Sequence, residues 1–284
     1  MNKRDFALEI SKLLPDKLYL QLMYKKHYGK FINFRNPQSY NEKLQWSKIY
    51  DRNPEYTKMV DKIAAKEYVT NIIGEKYVVP LLRVWDTAEE ICLDGLPKQF
   101  VMKSNHDSKG VMICDDISKF DLEKAKKFFA PRLKRNGFWY GREWPYKNVV
   151  PKVFAEAYLD SGTQEAIRDF KVLCFGGKAR LCEIHIDRFG DHHTQDMYRC
   201  DEGRWEKTDI AQGPMSDEVE PRPVFLEEMI KLSEELSKNI RHVRVDWYFL
   251  DQLYFGELTF FDGSGFVGFD NPENDLMIGK WFNI

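Results

Sequence analysis

No stretch of the 284 residues approaches the roughly 18 consecutive apolar positions that a membrane span requires, and the start, MNKRDFALEISKLLPDK, has no apolar core of the signal-peptide kind. Both absences predict a cytoplasmic chain without a membrane span. An excess of one charge is missing too. The 43 Lys+Arg stand against 45 Asp+Glu, a formal net charge of -2, which excludes a blanket basic nucleic-acid binder. Cysteine is sparse: Cys92, Cys114, Cys174, Cys182 and Cys200 are odd in number, widely spaced and free of any C-x-x-C pair. They read as reduced, buried side chains, with no disulfide framework and no zinc site. There is no Walker pattern, no Gly-x-Ser-x-Gly elbow, no internal repeat, and no linker long enough to separate independent domains.

What is present is a large supply of core material, 43% hydrophobic and 14% aromatic, so the chain folds. Residues 4–28 have helical apolar spacing broken by Pro15 and predict two helices. Ser39 stands three residues before Glu42, the spacing of a capping box, and predicts a helix over 39–50. Another helix is expected from Thr57 to Ile73. The segment 77–85 predicts a strand, part of it demoted to a sheet edge by Pro80. Hairpins are expected over 99–114, over 168–188 around Gly176-Gly177, and over 243–261; a strand over 149–160; and helices over 121–133 and 224–240. Strands and helices alternate without a regular βαβ period, which indicates an α+β or mixed α/β architecture. A basic run with interleaved aromatics (Lys25, Lys26, His27, Lys30, Arg35, Lys43, Lys48) could meet an anionic partner, although a solvated helical face accounts for it as well.

Chemistry is suggested most strongly by VRVDWYFLDQLYFGELTFFDGSG (243–265). Alternation puts Arg244, Asp246 and Tyr248 on one strand face and Val243, Val245, Trp247 and Phe249 on the other; in the second strand it groups Phe255, Glu257 and Thr259. Asp246 and Glu257 can then face each other across the turn. Two carboxylates in apolar strands resist ionisation together unless a cation lies between them, and oxygen donors of this kind suit Mg²⁺. The pattern leaves a second reading open, exposed edge residues paired to Arg244 or Lys280. The polar loop after Lys103 (Ser104 to Gly110) offers backbone N–H groups and hydroxyls to an anion, with Lys103 as a point charge beside it. Lys62 at a helix start, Glu156 interrupting an apolar strand, and Asp169 with Lys171 on one strand face complete the set. Each of these alone has an ordinary structural explanation.

Taken in order, these segments resemble the ATP-grasp superfamily, and their wording is similar to its teichuronopeptide-biosynthesis (TupA-like) branch. The resemblance is carried by Asn41-Glu42-Lys43-Leu44-Gln45-Trp46, the Asp61-Lys62 helix, Phe100-Val101-Met102-Lys103-Ser104-Asn105-His106, and Glu143-Trp144-Pro145-Tyr146-Lys147. It continues in Asp169-Phe170-Lys171 and Tyr254-Phe255-Gly256-Glu257-Leu258-Thr259-Phe260. It implies two α+β subdomains that clamp a nucleotide, with a helical amino-terminal region at 1–95, a lid subdomain at 96–155 and a metal-binding, catalytic subdomain at 156–284. It further implies that Lys62 and Lys103, with Asn105, Ser108 and Gly110 of the lid, hold the phosphates of ATP. Glu156, Ala157 and Leu159 would meet the adenine. Lys171 would lie at the transferred phosphate and Asp169 at the ribose or second substrate. Asp246 and Glu257 would hold Mg²⁺, with Thr259 standing where relatives place Asn. Asp107 would repel phosphate unless it turns away.

The implied reaction is ATP-driven joining of a carboxylate to an amine through an acyl phosphate; in this branch a small amine is attached to an anionic sugar, a hexuronic acid of a surface polysaccharide such as a capsule. Arg188, His185, His192 and His193 lie where an acceptor could bind, although a solvated polar loop accounts for them as well, His192-His193 above all. A phosphotransferase acting on a carbohydrate hydroxyl and a glycosyltransferase are the alternatives, although no convincing loop carries the Asp-x-Asp element usual in the latter.

Overall fold

The computed structural model describes residues 8–160, 167–186 and 193–284. Arg188 and His192 lie outside them. Two sheets organise the chain. A four-stranded antiparallel sheet has the order β1-β4-β2-β3, from β1 (Leu81–Trp85), β2 (Phe100–Ser104), β3 (Val111–Cys114) and β4 (Val153–Ala157). A six-stranded sheet has the order β10-β9-β5-β6-β7-β8, from β5 (Asp169–Phe175), β6 (Lys178–Ile186), β7 (Thr194–Arg199), β8 (Glu206–Lys207), β9 (His242–Phe249) and β10 (Leu253–Thr259). The small sheet thus takes β1 from before residue 96, and its β4 runs across the expected division at 155/156.

Helices pack against both sheets. Helix α5 (Leu122–Leu133), capped by Asp121, packs Ala125 and Phe129 against Phe100, Met102, Val153 and Ala155 of the small sheet. The large sheet buries Val172, Cys174, Val243, Val245 and Trp247 under α4 (Ala64–Ile73) and α7 (Leu226–Leu236). Trp247 donates its indole N–H to Ser233 Oγ of α7 at 2.8 Å, so a large ring enters the core with its one donor satisfied.

The amino-terminal helices form a third layer. Helix α1 (Asp16–Tyr28) turns Tyr19, Leu20 and Tyr24 inward. Helix α2 (Tyr40–Tyr50) starts at the capping box read from Ser39 and Glu42 and lies against α8 (Pro272–Trp281). The helix expected over 57–73 is two, α3 (Glu55–Val60) and α4, because the chain is extended at Asp61 and its carboxylate accepts the N–H groups of Ile63 and Ala64. Another helix, α6 (Phe138–Gly141), is a single turn. Among the described residues no helix is long and apolar enough to cross a membrane. All five cysteines are free, four of them buried.

Candidate active site

The face of each sheet opposite the helices named above is the charged one, and on the large sheet α2 and α8 cover only its end at Phe175 and His242. Across the large sheet the ladder aligns Glu257 with Asp246, Asp246 with Lys171, and Lys171 with Glu183. One step along, Asp169 lies between Tyr248 and His185. Asp246 and Glu257 therefore point the same way from neighbouring strands.

The alternation expected in β10 fails at one place. Phe255 pairs with Trp247 and Glu257 with Asp246, so the register shifts at Gly256. The extra residue is a β-bulge, which sends Phe255 into the core against Trp247 (ring centroids 6.2 Å) and leaves Glu257 on the charged face. Phe255, Glu257 and Thr259 do not share a face as a strict period of two would require.

Lys171 is nearly fully buried, with its ammonium 2.6 Å from Asp246 Oδ2 and 2.7 Å from Asp169 Oδ2. Arg244 holds the same Asp246 through Nε (2.7 Å) and Nη2 (2.8 Å) and reaches Asp262 through Nη1. Burial opposes ionisation of Asp246, but Arg244 and Lys171 outweigh it and keep the carboxyl well below the usual range. Burial likewise opposes charge on Lys171, and Asp246 and Asp169 together more than offset it, so the Lys171 pKa is raised. The pairing to Arg244 that the sequence left open is real, but it occurs in a buried site and not on an exposed edge.

Glu257 is held more loosely. Its side chain is 37% exposed, with the carboxylate 3.2 Å from Lys62 Nζ, 3.6 Å from Arg244 Nη2, and 3.4 Å from the Thr259 hydroxyl. Burial would raise its pKa, but Lys62 heads the charges that bring it below the normal carboxylate value. Among the described residues no group of three or more His, Cys, Asp or Glu is arranged around a common point for a metal. Glu257 and Thr259 are oxygen donors of the kind a hard divalent cation takes, whereas both Asp246 oxygens are engaged, Oδ1 by Arg244 and Oδ2 by Arg244 and Lys171.

The small sheet supplies a second cluster. Glu156, nearly fully buried on β4, receives Lys103 of β2 at 2.5 Å and Lys66 of α4 at 2.8 Å. Burial works against its charge and the two ammonium groups outweigh burial, lowering its pKa. Lys66 was not singled out in the sequence; its signal was the i, i+4 helical spacing from Lys62. The two clusters sense one another. Burial and then the carboxylates of Asp169 and Glu257, with Glu156 of the other sheet, push the Tyr248 hydroxyl pKa up.

Lys62 spans the gap. Its backbone N–H donates to Asn105 O (3.0 Å) and its ammonium to Asp107 O (3.1 Å) of the β2–β3 loop, while the same ammonium meets Glu257. In that loop Ser108 is exposed and Gly110 buried; a Cβ at Gly110 would meet Ser104 Oγ and Asp107 Oδ1, whose side chains would have to turn away to admit it. Asp107 turns away from the loop opening to Arg132 (2.6 Å) and Ser104. Asn105 is fully buried, and its amide is engaged by Val150 O and by the Lys152 N–H. Its side chain therefore builds the hairpin base and does not line the opening. Beyond Glu156, Ala157 bonds Pro80 O, and Leu159 joins Tyr158, Asp160, Phe249, Leu250, Asp251 and Tyr254 around an open cleft of about 700 Å³.

On the far side of Lys171, His185 stands 3.4 Å from Glu183 and 2.9 Å from His193. Glu183, which shares a face of β6 with Leu181 and His185, carries no distinguishing signal in the sequence.

Residues 42–283 match the family model described as TupA-like ATPgrasp. A search of curated proteins found no match. Among solved structures, the chain is similar to D-alanine–D-alanine ligase from Bacillus anthracis, at 19% identity over 78% of this chain and 59% of that one, with a TM-score of 0.40. It is also similar to L-amino acid ligase from Bacillus licheniformis, at 13% identity over 93% of this chain and 57% of that one, with a TM-score of 0.47. The chain thus spans a little over half the length of these two proteins.

Proposed function

Because the chain belongs to the TupA-like ATP-grasp family, we propose that it is an ATP-dependent carboxylate–amine ligase that joins an amino acid or similar amine to a hexuronic acid of a surface polysaccharide or its precursor. The observation that carries this reading is the row Glu257–Asp246–Lys171 on one sheet, linked through Lys62 to the loop that follows Lys103 on the other. The amine and the sugar class rest on the family resemblance.

In this reading ATP lies between the sheets, its base in the cleft beside Leu159 and its phosphates under the β2–β3 loop. Lys62 and Lys103 then exchange carboxylate partners for phosphate oxygens, with Ser108 and the Gly110 backbone close by. Lys171, held charged by Asp169 and Asp246, faces the phosphoryl group as it moves and offsets the charge that develops there. Mg²⁺ held by Glu257, Asp246 and Thr259 would supply further charge neutralisation at the phosphates. An acceptor carboxylate oxygen attacks the γ-phosphorus, the bond to ADP breaks, and an acyl phosphate results. The amine nitrogen then attacks the acyl carbon, phosphate leaves, and the nitrogen gives up a proton. Closure of the loop keeps water from the acyl phosphate. No side-chain nucleophile is needed.

The test is ADP release with an amine and a uronic acid supplied separately and together. Release that needs both, with amide in the product and loss of at least about a hundredfold in Glu257→Gln at unchanged melting temperature, supports the ligase reading. A stable phosphate ester on the acceptor instead makes the protein a phosphotransferase. ATP binding with no amide from any uronic acid rejects the proposal.

A further inference from the structure

Residues 17–41 contain five Lys or Arg and no acidic residue, in a chain whose overall charge is -2. All of this segment precedes the part of the chain that matches the family model, and none of it takes part in the site described above. Its inner face is firmly seated: Tyr19, Leu20 and Tyr24 are buried, and Tyr19 and Tyr28 donate their hydroxyls to the carbonyls of Tyr140 and Val267. The outer face of α1 is therefore presented rigidly.

That outer face is apolar and basic at once. Leu18 and Leu22, four residues apart and so on one side of the helix, are each 46% exposed, and Lys17, Lys25 and Lys26 are exposed beside them. Gln21 bonds both the N–H and the carbonyl of Ile32 (2.8 and 2.9 Å), folding the following turn back along α1. Phe31, 54% exposed, consequently lies with its ring 4.5 Å from Lys25 Nζ. At the other end, Lys17 donates to the hydroxyl of the exposed Tyr50 (2.9 Å). Apolar side chains flanked by lysines and exposed aromatics on one helix face are the composition of an interfacial helix, whose rings and leucines enter the headgroup layer while ammonium groups meet lipid phosphates.

We propose that the outer face of α1, with Phe31, docks the protein on the surface of an anionic phospholipid bilayer. The charge complementarity favours lipid phosphate, and the leucines distinguish a bilayer from a soluble polyanion, which offers them nothing to enter. This inference is independent of the reaction catalysed.

The experiment is co-sedimentation of the full chain with vesicles of phosphatidylcholine alone and with vesicles containing about one third phosphatidylglycerol, at low salt and at ~0.5 M salt. Partitioning onto the anionic vesicles at least tenfold stronger, weakened by salt, is expected. Lys25→Glu/Lys26→Glu is expected to abolish the preference, and Leu18→Ser/Leu22→Ser to reduce binding about tenfold at an unchanged melting temperature. Equal binding to both vesicle types, no binding, or variants that bind like the wild type overturn the proposal. Binding that a soluble polyuronate displaces and that is indifferent to Leu18→Ser/Leu22→Ser also overturns it, in favour of a carbohydrate polyanion. The salt response of the wild type provides a reading that needs no variant.

Discussion

Lowering the pH from 7 to 5 is expected to cost about 2 kcal/mol of stability through one side chain, His242 at the start of β9. Its Nδ1 lies 2.9 Å from Cys174 O, a carbonyl that can only accept, so Nδ1 carries the proton and Nε2 accepts from the Tyr40 hydroxyl at 3.0 Å. Phe175 stacks on the ring at 4.5 Å and Phe282 covers it at 5.2 Å. Burial, assisted by the Arg244 charge, lowers the pKa to about 3. In the unfolded chain the same group titrates near ~6.5, so the native state binds fewer protons throughout the interval between these values, and stability rises with pH across it. Each pH unit below ~6.5 then costs ~1.4 kcal/mol, which gives the figure of about 2 at pH 5. Asp246, Glu156 and Glu257, whose pKa values are lowered, act at more acidic pH: their contribution is present above the unfolded carboxylate values near ~4 and is lost as pH falls below them. His106, also lowered mainly by burial, adds in the same direction as His242. The measurement is therefore a difference, urea midpoints of the wild type and His242→Gln at pH 7, 6 and 5. The two curves should converge by about 2 kcal/mol on going to pH 5. Parallel curves would refute the assignment of a buried neutral imidazole.

Lys171→Met removes the ammonium between two buried carboxylates and should destabilise by about 3–5 kcal/mol, on the order of a 10 °C fall in melting temperature by scanning calorimetry; a fall under about 2 °C contradicts the buried triad. Gly256→Val would place a Cβ 3.1 Å from the Asp246 carbonyl oxygen and 3.2 Å from the Tyr248 ring, so about 1–3 kcal/mol should be lost on denaturant unfolding, and a neutral variant would argue against the bulge. Glu156→Gln takes away the anion shared by Lys66 and Lys103. Burial and then Glu156 already set the Lys66 pKa, the net effect being a lowering, and the substitution should lower it further; an NMR titration of the Lys66 side chain that shows no change would disprove the pairing.

The hairpins were legible because turn chemistry and alternation agree: Gly176 and Gly177 both have positive φ at the β5–β6 turn, and the apolar residues of β9 alternate without interruption. The capping box at Ser39 was equally local. What eluded the sequence depends on contacts made at long range or on residues that break a period. Counting by twos runs through Gly256 without seeing that the bulge absorbs one residue, and so puts Phe255 on the wrong face. The break between α3 and α4 has no glycine or proline to announce it, because the Lys62 N–H is claimed by Asn105 O, a partner 43 positions away. Asp246 and Glu257 stood out as charges inside apolar strands, whereas Lys62 and Lys171 took their weight from the family resemblance. Lys66 and Glu183 did not, since a lysine on a helix and a glutamate near a strand end look like ordinary surface residues until their partners are in view.

The reach of Lys62 has a consequence for timing. One four-carbon arm joins a loop carbonyl at Asp107 to a floor carboxylate at Glu257. An anion that seats against this ammonium competes with both ends at once. Under the proposed function, a polyphosphate seated there would draw the ammonium from Glu257 and from the Asp107 carbonyl, while the Lys62 N–H keeps its bond to Asn105 O, so ligand and loop would act on one residue.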